Sequence, residues 1–174
     1  MNKIIKTFVV VFAVALSFVS NSCDKFDTFP LNIPFTIYFT AVGSNQYDSG
    51  NYCLEDSSET FKDYKEEIEK LTYVEAAYRT ISITDTSIQV NLNIKVMNVT
   101  TNTEIINYSV DNFKPANYGS NPFVLGFDQN EIQNLNSYLV NNQCFRLIVT
   151  HNGMSSNQTV EGAVDIVLEA ETKL

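Results

Sequence analysis

Residues 88–96 read IQVNLNIKV, and this stretch decides the fold class. Successive side chains of a β-strand point to opposite faces, so strict alternation of apolar and polar residues predicts a strand with one buried and one wet face. A strand of this kind is typical of antiparallel sheets, which often face water on one side. The apolar positions are Ile88, Val90, Leu92, Ile94 and Val96, and the polar ones are Gln89, Asn91, Asn93 and Lys95.

The same alternation returns nearer the N-terminus, where residues 31–42 read LNIPFTIYFTAV. Ile33, Phe35, Ile37 and Phe39 fall on one face, which predicts a second half-buried strand. Pro34 lies within it and has no N–H to give to a neighbouring strand. Because proline is confined to edge strands, bulges and strand starts, we expect this strand at the edge of its sheet.

Further strands are predicted over 73–83, 104–110, 123–127, 144–150 and 160–170, for a total of about seven. Turn residues separate them, including NVTTN at 98–102 and Asn152-Gly153. Strand follows strand through turns, without the regular alternation with helices that a parallel doubly wound sheet requires. The sequence therefore predicts a mainly β protein, an antiparallel β-sandwich similar to the immunoglobulin type, with two short helical insertions.

Two capping patterns mark those insertions. Asp56 with Glu59 three residues later predicts the start of a helix that runs to Leu71, and Asp128 with Glu131 predicts a second. The second helix is expected to end at Asn141-Asn142 through a left-handed residue. The buried faces are predicted as Phe61, Tyr64, Ile68 and Leu71 in the first helix, and Ile132, Leu135 and Leu139 in the second.

The N-terminus has the three parts of a secretory signal peptide. Lys3 and Lys6 supply positive charge, residues 7–19 (TFVVVFAVALSFV) are largely apolar, and the small residues Ser20 and Ser22 follow. A permanent transmembrane helix needs about 20 apolar residues, and this run is shorter. We therefore expect residues 1–22 to be removed during export.

The sequence Ser20-Asn21-Ser22-Cys23 resembles the lipobox of bacterial lipoproteins, with Ser20 where the usual lipobox has leucine. This resemblance implies that Cys23 is lipidated and becomes the mature N-terminus. The polar residues 23–30 are expected to form a tether, and the length of the remainder predicts one domain over 31–174. The alternative is cleavage by the ordinary signal peptidase, which the same serine spacing suits and which would give a secreted protein.

Lipidation would hold the domain at a membrane without spanning it. Asp24 and Asp27 resemble the acidic export tags of some outer-membrane lipoproteins, although they also suit a solvated linker. We expect a lipid anchor in a bacterial outer membrane, with the domain on the periplasmic or the cell-surface side.

Charge and cysteine content limit the partners and the chemistry. The net charge is −9, and no Lys/Arg patch is present to bind phosphates, so nucleic acid is not expected as a partner. With Cys23 assigned to the lipid, Cys53 and Cys144 form a possible disulfide in an oxidising compartment. Two separate buried thiols are the alternative.

Candidate catalytic groups are scarce. The single histidine, His151, stands beside the Asn-Gly turn and is expected to be an exposed loop residue. No metal-binding motif is visible, and helix capping accounts for Asp128 and Glu131, whose oxygens could otherwise bind calcium with those of Asn130. We expect no cofactor, no metal and no enzymatic activity. A hydrolase with a carboxylate pair on the loops at one end of the sandwich is the alternative.

Tyrosines near loops offer faces on which sugar rings could stack. Tyr47, Tyr52, Tyr108 and Tyr118 are the candidates, although tyrosines at such places also cover the ends of sheets. The sequence favours a lipid-anchored binding or accessory module whose partner is a protein or glycan of the cell envelope. A structural envelope protein that assembles by strand addition, starting from the Pro34 strand, is a further alternative.

Overall fold

The computed structural model describes residues 28–173, which form nine strands and three α-helices. The helices are α1 (Leu54–Ser57), α2 (Glu59–Tyr64) and α3 (Gln129–Leu139), and a 3₁₀ turn spans Pro115–Tyr118. The strands are β1 (Thr28–Val42), β2 (Tyr47–Asp48), β3 (Tyr52–Cys53), β4 (Ile68–Ile83), β5 (Val90–Asn98), β6 (Glu104–Phe113), β7 (Phe123–Val124), β8 (Cys144–Asn152) and β9 (Thr159–Lys173).

The strands form two antiparallel sheets. The first sheet has the order β1-β9-β4-β7, and the second has the order β2-β8-β5-β6, with β3 also paired to β8. The predicted antiparallel β-sandwich is confirmed. Its first strand lies beside its last, whereas an immunoglobulin constant domain has the order A-B-E-D in one sheet and C-F-G in the other.

The core lies between the inner faces of the two sheets, and the predicted alternation places residues there. Ile33, Phe35, Ile37 and Phe39 of β1 are all buried, as are Val90, Leu92, Ile94 and Val96 of β5. The prediction that the Pro34 strand lies at an edge is also confirmed, because β1 ends the first sheet.

The predicted helix from Asp56 to Leu71 is wrong. Two short helices stand in its place, and Ser58 begins the second by accepting a hydrogen bond from the Phe61 N–H at 3.2 Å. Ile68 and Leu71 belong to β4 instead. Irregular pairing explains the error, because shifts of register along β4, beginning between Ile68 and Lys70, break the alternation by which a strand is recognised.

The second helix, α3, begins as predicted. The Asp128 carboxylate accepts from the Glu131 N–H at 2.8 Å, and Glu131 accepts from the Asp128 N–H at 3.2 Å, which completes a capping box. The expected left-handed ending is wrong, since Val140 ends the helix with φ −54° and neither Asn141 nor Asn142 has a positive φ. The Asn142 side chain instead donates to the Tyr138 carbonyl at 3.0 Å, satisfying an end group of the helix.

Helix α3 closes one side of the sandwich by contacting a strand from each sheet, β4 and β6. The Asn136 side chain accepts from the Tyr73 N–H of β4, and Glu131 accepts from the Asn107 N–H of β6, each at 2.8 Å. The edge of β6 therefore has one of its backbone donors occupied by a side chain.

Strand β1 begins inside the predicted tether, because Thr28 pairs with Lys173 and Pro30 with Glu171. The signal peptide over residues 1–22 and the lipidation site Cys23 lie outside the described residues, so both stay predictions.

Candidate functional site

The outer edge of β1 is the first feature that could bind a partner. Gly43 follows β1 and donates its N–H to the Gln158 carbonyl at 2.9 Å, next to the register pair of Val42 and Thr159. In an antiparallel pair, residues bonded to the neighbour alternate with residues whose backbone groups point away from it. Since the β1–β9 register runs without a shift, the odd-numbered residues of β1 bond to β9 and the even-numbered ones point to the free edge.

The N-terminal half of this edge is blocked. Pro30 and Pro34 occupy even-numbered positions, so they contribute no N–H to the free edge and remove none from the ladder to β9. The Tyr52 hydroxyl donates to the Thr36 carbonyl at 3.4 Å, which occupies a further edge acceptor. Prolines at an edge are a common way to prevent pairing with another chain.

The C-terminal half, residues 38–42, is open, and we call it the open edge. In the described part of the chain, no strand pairs with it. Tyr38 and Val42 point outward and are 64% and 43% exposed, and Thr40 between them is also exposed. The open edge carries no charged side chain.

A hollow of about 350 Å³ lies beside the open edge. It brings together an exposed aromatic ring (Tyr38), a hydroxyl (Thr40) and a carboxylate (Glu161), and the Glu161 carboxylate accepts from the Ser82 hydroxyl at 2.6 Å. A ring with neighbouring hydrogen-bonding groups suits the binding of a polar ligand such as a sugar. The lining residues are Tyr38, Phe39, Thr40, Tyr47, Ile81, Glu161 and Gly162.

Gly162 sets the shape of this part of the sheet. A Cβ atom added to it would lie 2.4 Å from Cζ of Phe39 and 2.8 Å from the Arg79 carbonyl oxygen. Only glycine therefore leaves room for the Phe39 ring, which packs beneath the open edge. The neighbouring residue Tyr38 is held on the opposite face of β1 by the alternation of the strand.

A polar network joins the three adjacent strands next to Tyr38. Arg79 of β4 donates to both carboxylate oxygens of Asp165 of β9 at 3.0 and 3.2 Å, and the Thr36 hydroxyl of β1 donates to the same group at 2.8 Å. Burial raises the pKa of Asp165, but the hydrogen bonds from Arg79 and Thr36 together bring it below its ordinary value. The network holds β1 against β9 where the open edge begins.

The four candidate sugar-binding tyrosines are half-buried, and each packs on a phenylalanine, which is a core residue for three of them and the half-buried Phe127 for Tyr108. Their assignment to glycan binding stays a prediction. Of the four, only Tyr47 lines the hollow that Tyr38 also lines. The ring centroids are 6.0 Å apart for Tyr47 and Phe39, 5.7 Å for Tyr52 and Phe35, 5.6 Å for Tyr108 and Phe127, and 4.8 Å for Tyr118 and Phe113.

Sequence reasoning missed Tyr38 as a candidate. The signal was present, because Tyr38 is the one large aromatic residue on the polar face of the alternating stretch 31–42. A large aromatic side chain on a solvent-exposed strand face is unusual, and binding of a partner is one explanation for it.

His151 is fully buried, so the prediction of an exposed loop histidine is wrong. It lies in β8, opposite Leu92 of β5, and Nε2 is 2.9 Å from the Tyr78 hydroxyl oxygen. Burial lowers the pKa of His151 to about 4, so the imidazole is neutral at pH 7. Nδ1 is buried without a hydrogen-bond partner among the described residues.

The structure joins Cys53 and Cys144 in a disulfide. The two residues are directly opposite in the pairing of β3 with β8, and the adjacent Leu54 N–H donates to the Gln143 carbonyl at 2.9 Å. Because the next pair along the ladder is hydrogen-bonded, Cys53 and Cys144 form a non-hydrogen-bonded pair. In pairs of this type the two side chains come closest. Of the two alternatives for these cysteines, the disulfide is the one that is present.

Within residues 28–173, no group of three or more His, Cys, Asp or Glu side chains is placed to hold a metal ion. Asp128 and Glu131, two of the calcium candidates, are engaged with each other in the capping box of α3. None of the helices formed by these residues is long and apolar enough to cross a membrane.

No family model and no curated protein matches this chain. Two viral structures are similar to it in outline. A structure of Desmodium yellow mottle tymovirus has a TM-score of 0.46 and 8% identity, over 84% of this chain and 89% of that one. A structure of infectious bursal disease virus, Gt strain, has a TM-score of 0.31 and 11% identity, over 84% of this chain but only 38% of that one.

Proposed function

We propose that this chain is a lipid-anchored, non-enzymatic accessory protein of a bacterial outer membrane, and that it binds a partner protein through its open edge. The observation that carries the proposal is the division of the β1 edge. One half is blocked by Pro30, Pro34 and the Tyr52 hydroxyl. In the other half, the outward backbone groups of Tyr38 and Thr40 have no partner in the described part of the chain, and the Val42 carbonyl accepts only the turn N–H of Asn45 at 3.3 Å.

Strand addition explains this arrangement. An exposed edge is a template for an extended segment, whose main-chain hydrogen bonds supply affinity while alternate side chains supply specificity. Folded proteins normally protect such edges, and this chain protects the N-terminal half of the β1 edge. An edge that is blunted up to Thr36 and left free over the next residues is consistent with a surface kept for binding.

The anchor is supported by the lipobox resemblance around Cys23, which stands shortly before the start of β1 at Thr28. Replacing Cys23 with alanine should release the protein from the membrane fraction in a bacterial host. Intact mass of the natural chain should give an acylated N-terminus at Cys23. A natural chain that is soluble and begins without an acyl group would disprove the anchor but not the binding edge.

Photo-crosslinking tests the edge. We would place p-benzoylphenylalanine at Tyr38 of the full chain, irradiate intact cells, and look for a protein adduct. A second change, Thr40→Pro, removes the central outward N–H of the open edge and should abolish the adduct. Proline is compatible with the strand here for the same reason that Pro34 is, since the N–H does not bond to β9.

Asn32→Pro is the matched control. Asn32 also directs its N–H to the free edge, but it lies between Pro30 and Pro34 in the blocked half. The adduct should survive this change. An adduct that persists in Thr40→Pro, or that is lost equally in both proline variants, would exclude binding through the open edge.

The hollow beside Tyr38 favours a second candidate function, glycan binding. Its ring, hydroxyl and carboxylate form the kind of surface on which a sugar stacks and hydrogen-bonds. Retention of the protein on insoluble peptidoglycan should then be lost in Tyr38→Ala. It should be kept in Tyr64→Ala, which removes another exposed tyrosine. Equal retention of both variants would exclude the hollow as the binding surface.

A further inference from the structure

We infer that the partner of the open edge is a second copy of this chain, paired antiparallel about a two-fold axis at Thr40. This inference rests on the proposed function of the same edge and names its partner. The two first sheets would join through their β1 strands into one continuous eight-stranded sheet.

The backbone pattern of the open edge is complementary to itself. Tyr38, Thr40 and Val42 all direct their N–H and C=O groups outward. The Val42 carbonyl also accepts from the Asn45 N–H at 3.3 Å, which uses one of its two lone pairs and leaves the other for the partner. When two such strands run antiparallel with Thr40 opposite the partner's Thr40, Tyr38 stands opposite the partner's Val42. Each of these pairs is then of the hydrogen-bonded type, so every outward donor of the open edge meets an acceptor.

The side chains are complementary in the same register. Tyr38 and Val42 are both large, apolar and exposed, and both lie on the outer face of the first sheet. Pairing would place each Tyr38 ring beside the partner's Val42, twice across the axis, with the two threonines between them. Aromatic, β-branched and Thr–Thr pairs are the cross-strand combinations that stabilise antiparallel sheets.

Charge restricts self-association to a surface of this kind. Two copies that each carry a net charge of −9 repel one another, so a contact between them needs an uncharged patch. The open edge has no charged residue. The nearest carboxylate in the register, Glu161, lies on β9 opposite Thr40. The two copies of Glu161 would be three strand spacings apart, about 14 Å, which exceeds the screening length of about 8 Å at physiological salt.

The blocked half fixes how far the pairing extends. On the N-terminal side, the Thr36 carbonyl is already engaged by Tyr52. Beyond Val42 the chain turns at Gly43, whose φ is +58°. The self-pairing is therefore limited to the open edge and has a single register. The edges at β6 and β7 are less suitable, because Glu131 occupies the Asn107 N–H and β7 contains only two residues.

Cysteine crosslinking of the full chain in membranes tests this register. In Thr40→Cys the two thiols would belong to residues whose Cα atoms are about 5.5 Å apart, within disulfide range. In Tyr38→Cys the same two positions would be about 14 Å apart, from four residues along the strand and one strand spacing across it. Under mild oxidation, we expect a covalent dimer from Thr40→Cys and none above the background of the unsubstituted chain from Tyr38→Cys or Val42→Cys alone.

Two differently tagged chains complete the test. Tyr38→Cys expressed with Val42→Cys should give the mixed dimer, because the register places these positions opposite each other. Equal dimer yield from all three single variants would indicate random collision and overturn the inference. If Thr40→Cys gives no dimer while the photo-crosslink at Tyr38 joins a different protein, the inference fails and the proposed function stands. If neither experiment gives a product, both fail.

Discussion

Acid should destabilise this protein through His151 in a defined pH range. The folded protein holds the imidazole neutral, with burial lowering the pKa of His151 to about 4 from an ordinary 6.5. In the unfolded chain the group takes up a proton at the ordinary pKa, so between these two values the unfolded state binds more protons. The free energy of unfolding must therefore fall as the pH falls from 6.5 to 4.

The size of the effect follows from the difference in pKa. One unit corresponds to about 1.4 kcal/mol, so the pKa of about 4 for His151 implies a loss of about 3 kcal/mol across this range and no further loss below it. That is a large part of the total stability of a typical domain, about 5–15 kcal/mol. The rings of Phe39 and Tyr78 pack against the imidazole, and the Tyr78 hydroxyl is the polar group that faces it.

Urea unfolding of the purified protein at a series of pH values measures this, with His151→Gln as the comparison. Glutamine keeps an amide near the Tyr78 hydroxyl but does not titrate. Carboxylates with lowered pKa values, such as Asp165 and Glu104, also cost stability in acid, but they are the same in both proteins. At pH 7 the variant should be the less stable protein, and the gap should shrink by about 3 kcal/mol by pH 4. If the free energies of unfolding of the two proteins fall in parallel as the pH is lowered, the conclusion that His151 is buried in its neutral form is refuted.

Three further substitutions test the disulfide, the packing around Gly162 and the cap of α3. Cys53→Ser with Cys144→Ser should lower the free energy of unfolding by about 4–5 kcal/mol, because the disulfide closes a long loop; a reducing agent should bring the natural protein to the same urea midpoint. Gly162→Ala should cost about 1–3 kcal/mol or more through overpacking, while Gly126→Ala, with open space around its Cα, should cost less in the same melting experiment. Asp128→Ala should cost about 1 kcal/mol by removing the cap of α3, as measured by urea unfolding.

Alternation was a sufficient guide wherever the pairing is regular. Residues 31–42 and 90–96 lie in strands as predicted, and Ile88 and Gln89 come just before β5. Strand β1 keeps one register with β9 along its whole length, and β5 keeps one with β8. Irregular pairing hid only the first residues of β4, whose remainder was predicted as the strand over 73–83. The register shift between Ile68 and Lys70 leaves Ile68 and Leu71 three residues apart, a spacing that imitates one face of a helix.

The error at His151 has a different origin. The Asn-Gly pair was correctly taken as a turn, and Gly153 has φ +103°. The strand before it nevertheless continues through Asn152, so His151 keeps the inward direction of Phe145, Leu147 and Val149. A local turn signal shows where the chain reverses, but it does not tell whether the preceding residue is still in the core.

The open edge could not be predicted without the strand order. Pro34 indicated an edge strand, but which backbone groups point outward follows only from the register between β1 and β9, and these strands lie at opposite ends of the sequence. The contact of Tyr52 with Thr36 likewise joins residues of different sheets. Such long-range pairings depend on the whole topology and leave no local pattern.

The position of the first strand at the edge of its sheet also determines how the domain would respond to force. A pull on Thr28 resisted by a partner at Tyr38 and Val42 runs along the covalent backbone of β1, because both attachment points lie on that strand. The hydrogen bonds that carry this load are those between β1 and the partner's strand, and they lie across the axis, so they are strained together in shear instead of being opened one after another like a zipper. A load between the proposed membrane tether and the bound partner would therefore pass along one edge strand without pulling β9 or the rest of the core apart.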